Sequence, residues 1–333
     1  MVASLLPVGV RAAPPLVSFP RDESPHNVSV EWWYFTGHLT GKDLLGGTHH
    51  YGFELTFFRD VLAFPVSGYV AHYAVTNLDT GSFKYETRTT VQPDWVPPDG
   101  GFDIKLLDWS MSGKNGANSL FAENADLSYV TSLNLNTSLP AALHGGDGLM
   151  TYGPLGTSYY YSRPNLSVTG TIVDHGNPVQ VSGQAWFDHQ WGDFSQTNKA
   201  GWDWFSVQLD SGEQYMVYLI KDGSGTVVDK LGTLIKANGS TVDLAPSALS
   251  DLAISHWTSP HTSYTYSSGW KVTVPGGFLM VTPQVKDQEL VVPSSPDGKY
   301  WEGATTVTGT INGQPVRGKG YTELTPPGYF KMQ

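Results

Sequence analysis

The sequence predicts an all-β protein made of two tandem antiparallel β-barrel halves that arose by internal duplication. Three observations predict it. First, helical periodicity is almost absent. Alternating stretches of about five to nine residues, rich in β-branched and aromatic types, recur instead between Gly, Pro, Asn and Asp. Second, Trp32-Trp33-Tyr34-Phe35-Thr36-Gly37-His38-Leu39 followed by Phe53-Glu54-Leu55-Thr56-Phe57-Phe58-Arg59-Asp60 is matched by Trp202-Asp203-Trp204-Phe205-Ser206-Val207-Gln208-Leu209 followed by Tyr215-Met216-Val217-Tyr218-Leu219-Ile220-Lys221-Asp222. Third, the halves end alike. Val168-Thr169-Gly170-Thr171-Ile172, Gly176-Asn177-Pro178-Val179 and Gly183 match Val307-Thr308-Gly309-Thr310-Ile311, Gly313-Gln314-Pro315-Val316 and Gly320. Two matched pairs in the same order favour duplication over chance likeness between strands.

The elements follow in order. Residues 1–18 read as an N-terminal tail, with the remnant of a leader as the alternative: Val2–Val10 is apolar but no basic segment precedes it. Residues 19–195 form the first half and 196–333 the second. Strands are expected at Val30–Leu39, Tyr51–Phe58, Tyr69–Val75, Leu166–Val173 and Val179–Phe187, then at Trp202–Leu209, Tyr215–Ile220, Lys271–Val274, Phe278–Val281 and Thr305–Ile311. Ser247–Ile254 and Leu139–Leu143 are the two places that suit a helical turn. Antiparallel sheets of this size must hide their edges, and closure into a barrel removes them. The ligand space is then one barrel mouth or the cleft between halves.

Composition excludes several functions. The 333 residues are 40% hydrophobic and 15% charged, which is incompatible with intrinsic disorder. A formal net charge of −11 repels phosphate backbones and anionic membranes, so nucleic acid is not an expected partner. No apolar run reaches a membrane span. The absence of cysteine removes disulfides, thiolate nucleophiles and Cys-based metal sites. There is no Gly-x-Ser-x-Gly elbow, no P-loop and no dinucleotide fingerprint, and Gly223-Ser224-Gly225 reads as a hairpin turn. His49 and His50 are adjacent and point to opposite faces of a strand, so they cannot share an ion. Neither a metal nor a cofactor is expected.

Three clusters carry polar groups among aromatics. In Glu31-Trp32-Trp33-Tyr34-Phe35, alternation sets Glu31, Trp33 and Phe35 on one face and Trp32 and Tyr34 on the other. In Trp186-Phe187-Asp188-His189-Gln190-Trp191-Gly192, His189 and Trp191 share a face with Phe187, while Asp188 lies with Trp186 and Gln190. Burying such groups is costly unless they are hydrogen-bonded, so a polar network pinning the junction is the simple alternative to a site. In Trp202-Asp203-Trp204, Asp203 shares a row with Phe205, Val207 and Leu209. A carboxyl in an apolar row has a raised pKa and can act as an acid; a rim Asp reaching solvent is the simple alternative. A turn between Gly192 and Gly201 would fold the two strands together and bring His189 near Asp203. The indoles would steady a cation.

Glu31-Trp32-Trp33-Tyr34-Phe35-Thr36-Gly37, Tyr159-Tyr160-Tyr161-Ser162 before Val168-Thr169-Gly170, Gly183 to Gly192, and Trp202-Asp203-Trp204-Phe205 together resemble the carotenoid 1,2-hydratase/AttH family. Tyr300-Trp301-Glu302-Gly303 and Gly318-Lys319-Gly320-Tyr321-Thr322-Glu323-Leu324 look like its closing motifs, so the resemblance spans the chain after about residue 18. It implies two lipocalin-like β-barrels in tandem. It also implies a cofactor-independent enzyme on a bulky apolar, unsaturated substrate such as a terpenoid or polyene. The family's carotenoid hydratases add water to the terminal double bond of an acyclic carotenoid. More distant fungal relatives close polyenes by Diels–Alder or hetero-Diels–Alder reactions. On motif position the proton donor falls on Asp203, with His189 and Trp191 lining the site and His189 orienting the acid or placing water. In a pericyclase Asp188, His189 or tyrosine hydroxyls act only as hydrogen-bond donors. Trp191, Trp202, Trp204, Trp33, Glu31 and Tyr161 form the substrate wall. A pericyclase and a carrier of apolar ligands without chemistry stay open as alternatives, as does export to a periplasm or outside the cell.

Overall fold

The structure, a computed structural model, describes residues 16–63, 65–152, 156–194, 201–292 and 298–327. The first half contributes β1 (Val30–Lys42), β2 (Thr48–Ala63), β3 (Val66–Asn77), β4 (Ser82–Pro93), β5 (Phe102–Leu106), β6 (Trp109–Lys114), β7 (Ala117–Glu123), β8 (Tyr129–Asn136), β9 (Ala142–Leu143), β10 (Leu149–Thr151), β11 (Gly156–Asp174) and β12 (Asn177–Phe194). They form one antiparallel sheet in the order β4-β3-β2-β1-β12-β11-β8-β7-β6-β5, with β9 and β10 on β11. This sheet curls into a nearly closed barrel. Its edges approach where Gln92 Nε2 donates to the Lys105 carbonyl at 2.7 Å and Arg88 Nε to Asp108 at 3.1 Å.

The second half contributes β13 (Gly201–Leu209), β14 (Gln214–Lys221), β15 (Val227–Ile235), β16 (Thr241–Asp243), β17 (Ser250–Ala253), β18 (His256–Thr258), β19 (Thr265–Ser267), β20 (Trp270–Val274), β21 (Gly277–Pro283), β22 (Glu289–Val291), β23 (Lys299–Ile311) and β24 (Gln314–Thr325). All but the β18–β19 hairpin join a half-barrel sheet ordered β16-β15-β14-β13-β24-β23-β21-β20-β17, with β22 on β23. The duplication is visible in the pairing: β2-β1-β12-β11 in one half corresponds to β14-β13-β24-β23 in the other. The hairpins that end each half turn alike. His175-Gly176 and Asn312-Gly313 all have positive φ (49°, 83°, 51° and 76°), as a two-residue turn matched to the strand twist requires.

Alternation gives each central strand two faces, and here both are buried. Inward residues such as Phe35, Phe53, Phe187 and Trp109 fill the first barrel, and Phe205, Val217, Trp270 and Val281 fill the second. Outward residues Tyr34, Tyr160 and Trp186 meet Trp202, Trp204, Tyr218 and Tyr321 in a third apolar cluster that seals the seam between halves. The backbones approach closely there: a Cβ on Gly52 would lie 2.9 Å from Ala304 Cβ. Polar contacts cross the seam as well, including Thr76 to Gln288 at 2.7 Å and His38 Nε2 to the Gly320 carbonyl at 2.9 Å.

Three expectations need correction. Ser247–Ile254 and Leu139–Leu143 contain no α-helical turn. Pro246–Ala248 is a single 3-10 turn leading into β17, and the other stretch ends in β9, because pairing with β20 and β11 satisfies those backbones. Part of the expected tail is docked: Val17 is 4% exposed in the first core and Ser18 N donates to Asp22 at 2.7 Å. The rest of that tail lies outside the described residues. Finally, β12 does not fold back on β13. It pairs with β1 and β11, whereas β13 pairs with β14 and β24. In each half the first and last long strands pair with one another, so both sides of β12 and of β13 are already taken within their own sheets. The expected turn itself, at 195–200, lies outside the described residues.

Candidate functional site

The seam encloses a cavity lined by Trp32, Tyr34, Glu54, Phe58, Tyr160, Asp188, Gln190, Trp202, Trp204, Tyr218, Tyr300, Glu302 and Glu323. Every one is an outward residue of a central strand in one half or the other. The void measures about 30 Å³, room for about one water. A larger ligand enters only as side chains along the seam part.

Four carboxyl groups converge there: Glu54, Glu302 and Asp188 have almost no exposure, and Glu323 is half-buried. Glu302 Oε1 accepts from Tyr34 Oη at 2.7 Å, and Glu54 Oε1 accepts from Tyr300 Oη at 2.9 Å and Thr56 Oγ1 at 3.0 Å. In both, Oε2 is buried and has no hydrogen-bond partner. Burial pushes Glu54 up to about 8 and Glu302 well above the carboxylate range, and the other glutamates of the cluster add to it. At neutral pH each is therefore an acid anchored through Oε1 and carrying its proton on an unengaged oxygen. Glu323 is raised to about 7 by the same burial. Tyr300 spends its only proton on Glu54, so His72 Nδ1, 2.7 Å from Tyr300 Oη, must be the donor of that pair. Burial lowers His72 to about 3, and it stays neutral.

Asp188 is held differently. Its Oδ1 accepts from Trp186 Nε1 at 2.6 Å and from Ser162, and its Oδ2 from Tyr160 Oη at 2.6 Å. Burial raises it to about 7 while these three donors pull the other way. Tyr160 Oη in turn accepts from Trp204 Nε1 at 3.1 Å, which ties the halves together. Among the described lining residues there is no Arg, Lys or His. The arrangement can donate protons to, and surround with aromatic faces, a neutral apolar group. It offers no clamp for a phosphate or carboxylate.

The residues expected from sequence fall in three places. Asp188, Trp202 and Trp204 reach the seam cavity. Glu31, Trp33, Tyr161, His189 and Trp191 lie together inside the first barrel, on the opposite faces of β1, β11 and β12. Glu31 there is bonded by His189 Nε2 at 2.9 Å, His26 Nδ1 at 2.7 Å and Arg59 Nη1 at 2.9 Å; burial pushes its carboxyl up, but the two imidazoles outweigh it and hold it down at about 2. Asp203 lies inside the second barrel, salt-bridged to Lys221. Burial and neighbouring Asp251 raise it to about 8 against the pull of Lys221. The expected adjacency of His189 and Asp203 is thus not realised, because their side chains point into different barrels. Asp203→Asn should cost about 1–3 kcal/mol of stability above about pH 8, where the ionised carboxylate pairs with the mostly buried Lys221 ammonium. It should cost much less near pH 6, where it replaces a neutral acid, and denaturant unfolding at the two pH values reads it.

Glu54, Glu302, Glu323, Tyr34, Tyr160 and Tyr300 were not singled out from sequence, although each left a signal. Glu54 is an acid set among Phe53, Leu55, Phe57 and Phe58. Glu302 and Glu323 sit inside the two closing motifs, and Tyr34 shares the face of Trp32.

With this geometry established, the relatives can be named. The AttH-like family profile matches residues 10–329. The chain belongs to the AttH-like family. A crystal structure of an AttH candidate from Nitrosomonas europaea superposes with a TM-score of 0.81 at 34% identity, covering 98% of this chain and all of that one. Kievitone hydratase of Fusarium solani subsp. phaseoli is 23% identical over 320 residues, 91% of this chain and 84% of its own. The crystal structure of kievitone hydratase from Nectria haematococca shares the fold, with a TM-score of 0.73 at 20% identity over 95% of this chain and 94% of that one. The tandem-barrel architecture is therefore that of its relatives, among which a hydratase is named.

Proposed function

We propose that this AttH-like chain is a hydratase-type enzyme that adds water across a carbon–carbon double bond of a bulky, neutral, unsaturated substrate in the seam. One observation carries the reading: Glu54 and Glu302 are buried acids, each fixed through one oxygen by a tyrosine and presenting the other without a partner. One of them protonates the alkene carbon. The resulting cation sits among Trp32, Trp202 and Trp204 and the neighbouring carboxyl dipoles. Water adds to the cationic carbon, and its surplus proton returns to the carboxylate, so substrate plus water gives the tertiary alcohol and the acid is restored. These two glutamates take the role that the sequence reading gave to Asp203. Tyr34 and Tyr300 hold them, and Asp188 holds Tyr160. Likeness to a kievitone hydratase supports the hydratase class.

The test is isotopic. Acyclic polyenes and a crude terpenoid extract are incubated with the chain in D₂O and in H₂¹⁸O. One deuterium on product carbon and one ¹⁸O in the product are expected. A cyclised product of unchanged mass and without deuterium would instead mean a pericyclase, and recovery of unchanged ligand would mean a carrier.

A further inference from the structure

Independently of the seam, the interior of the first barrel brings together a carboxylate, an imidazole five positions before it and a second imidazole from a distant strand. His26 Nδ1 and His189 Nε2 converge on the same oxygen, Glu31 Oε1, at 2.7 and 2.9 Å, and the three donor atoms lie within 4.8 Å of one another. We propose that His26, Glu31 and His189 bind one divalent transition-metal ion, of the zinc or ferrous class that two imidazoles and one carboxylate favour.

Each of the three would be oriented by an outer partner, as metal ligands are. Glu31 Oε2, the oxygen facing away from the imidazoles, is held by Arg59 Nη1 and by the His26 backbone N–H, both at 2.9 Å. His26 Nε2 lies 3.5 Å from Asp22 Oδ1, and His189 Nδ1 lies 3.3 Å from Tyr161 Oη. The rings are fixed by stacking: His26 on Trp191 at 4.2 Å and parallel, His189 on Trp33 at 4.7 Å. Arg59 is shared with Asp94, which takes two further hydrogen bonds from it, so it does not by itself neutralise Glu31. Asp22 is itself paired with Arg21, whereas Glu31 and Asp94 share the one guanidinium of Arg59, so with neutral imidazoles the pocket carries one surplus negative charge for a cation to offset.

The way in is on the His26 side, whose side chain is 20% exposed whereas Glu31 and His189 are fully buried. On binding, each imidazole gives up the proton on its ligating nitrogen. His26 keeps a proton on Nε2 toward Asp22, and His189 can place one on Nδ1, where Tyr161 Oη accepts it. Three protein ligands leave at least one position for water. His26 precedes β1, so the ion would pin the segment before that strand to the barrel interior. No spacing rule exposes such a set, since Glu31 and His189 are 158 positions apart.

The test uses the full chain after EDTA treatment and desalting. Titration with Co²⁺ is followed by visible absorption, and bound Zn²⁺ is counted after equilibrium dialysis. One equivalent per chain is expected, with d–d bands for cobalt and a thermal midpoint that rises with zinc concentration. His26→Gln, at the partly exposed end, should fold and bind at least about tenfold more weakly. His50→Gln, which alters an exposed His–Asp pair, should leave binding unchanged. Absence of the cobalt bands would overturn the proposal. So would less than one equivalent of zinc, or equal weakening by the two variants, which would mean surface histidines alone. Near-UV circular dichroism of His26→Gln separates a lost ligand from a lost fold. None of these outcomes bears on the seam, whose residues lie on the other faces of β1 and β12.

Discussion

Glu302→Gln is expected to lower turnover by about 10²- to 10⁴-fold, the contribution of a positioned general acid, while the chain still folds and still takes up its ligand. The amide is isosteric and its oxygen can keep accepting from Tyr34 Oη, but it has no acidic proton to give. The loss should lie in kcat, because the acid acts only once the alkene begins to gain positive charge. Glu54→Gln is expected to lose about tenfold or less, through the altered field alone; the reverse pattern would make Glu54 the donor. Asp203→Asn is the counterpart, destabilised but catalytically competent. Turnover measured on the substrate found by the isotope experiment decides the matter, and ligand quenching of tryptophan fluorescence reports binding separately. If Glu302→Gln and Glu54→Gln both keep turnover within about tenfold of the parent, acid catalysis in the seam is wrong.

The second large effect is on stability against pH. Burial raises Glu54 to about 8, Glu323 and Asp188 to about 7, and Glu302 well above the carboxylate range, against ordinary values near 4 to 4.5. Between the ordinary and the raised value the unfolded chain has released a proton that the folded chain retains. Each group therefore loses about 1.4 kcal/mol of stability per pH unit as pH rises through that window. Asp203, raised to about 8, acts in the same sense. His26, raised by Asp22 and Glu31 against its burial, also loses stability as pH rises through its folded value.

Buried neutral histidines oppose this at lower pH. Burial depresses His38 and His189 to about 4 and His72 and His144 to about 3. Their contribution is present above about 6.5 and is lost as pH falls. Glu31, held near 2 by its partners, loses its share only below the ordinary carboxylate value. The two sets largely offset between about pH 4.5 and 6.5, and above that the carboxyls act alone. Stability is thus expected to be nearly level from about pH 4.5 to 6 and to fall by several kcal/mol by about pH 8. Urea unfolding at a series of pH values reads it directly, and Glu302→Gln should flatten the slope. Stability that is level or rising from pH 6.5 to 8 would mean that the seam carboxyls are ionised and differently paired.

The ten strands read from alternation all exist, and most run longer than the pattern showed. Val30–Leu39 extends to Lys42, and Val179–Phe187 reaches Phe194. Among those missed, β4 (Ser82–Pro93) alternates in type, yet mostly half-exposed residues such as Lys84, Glu86 and Arg88 hide its apolar period. The face assignments also survive at the site: Asp188 lies with Trp186 and Gln190, and His189 with Phe187 and Trp191, as period two requires. What failed was the choice of which polar residues meet. Asp203 was favoured for its apolar row, and that row turned out to be the filled interior of the second barrel.

Alternation and the repeated Trp-rich strands therefore sufficed to establish an all-β duplicated chain, and to decide which side chains share each face of each strand, because the backbone pleat enforces a period of exactly two wherever a strand forms. Only the tertiary structure decided which face becomes a barrel interior and which becomes the seam. It alone brought Glu54 and Glu302 together across 248 positions of chain. The physical reason is that both faces of these central strands are largely buried and both mix aromatic with polar residues, so no local preference distinguishes them. The distinction arises when two curled sheets press their outer faces together.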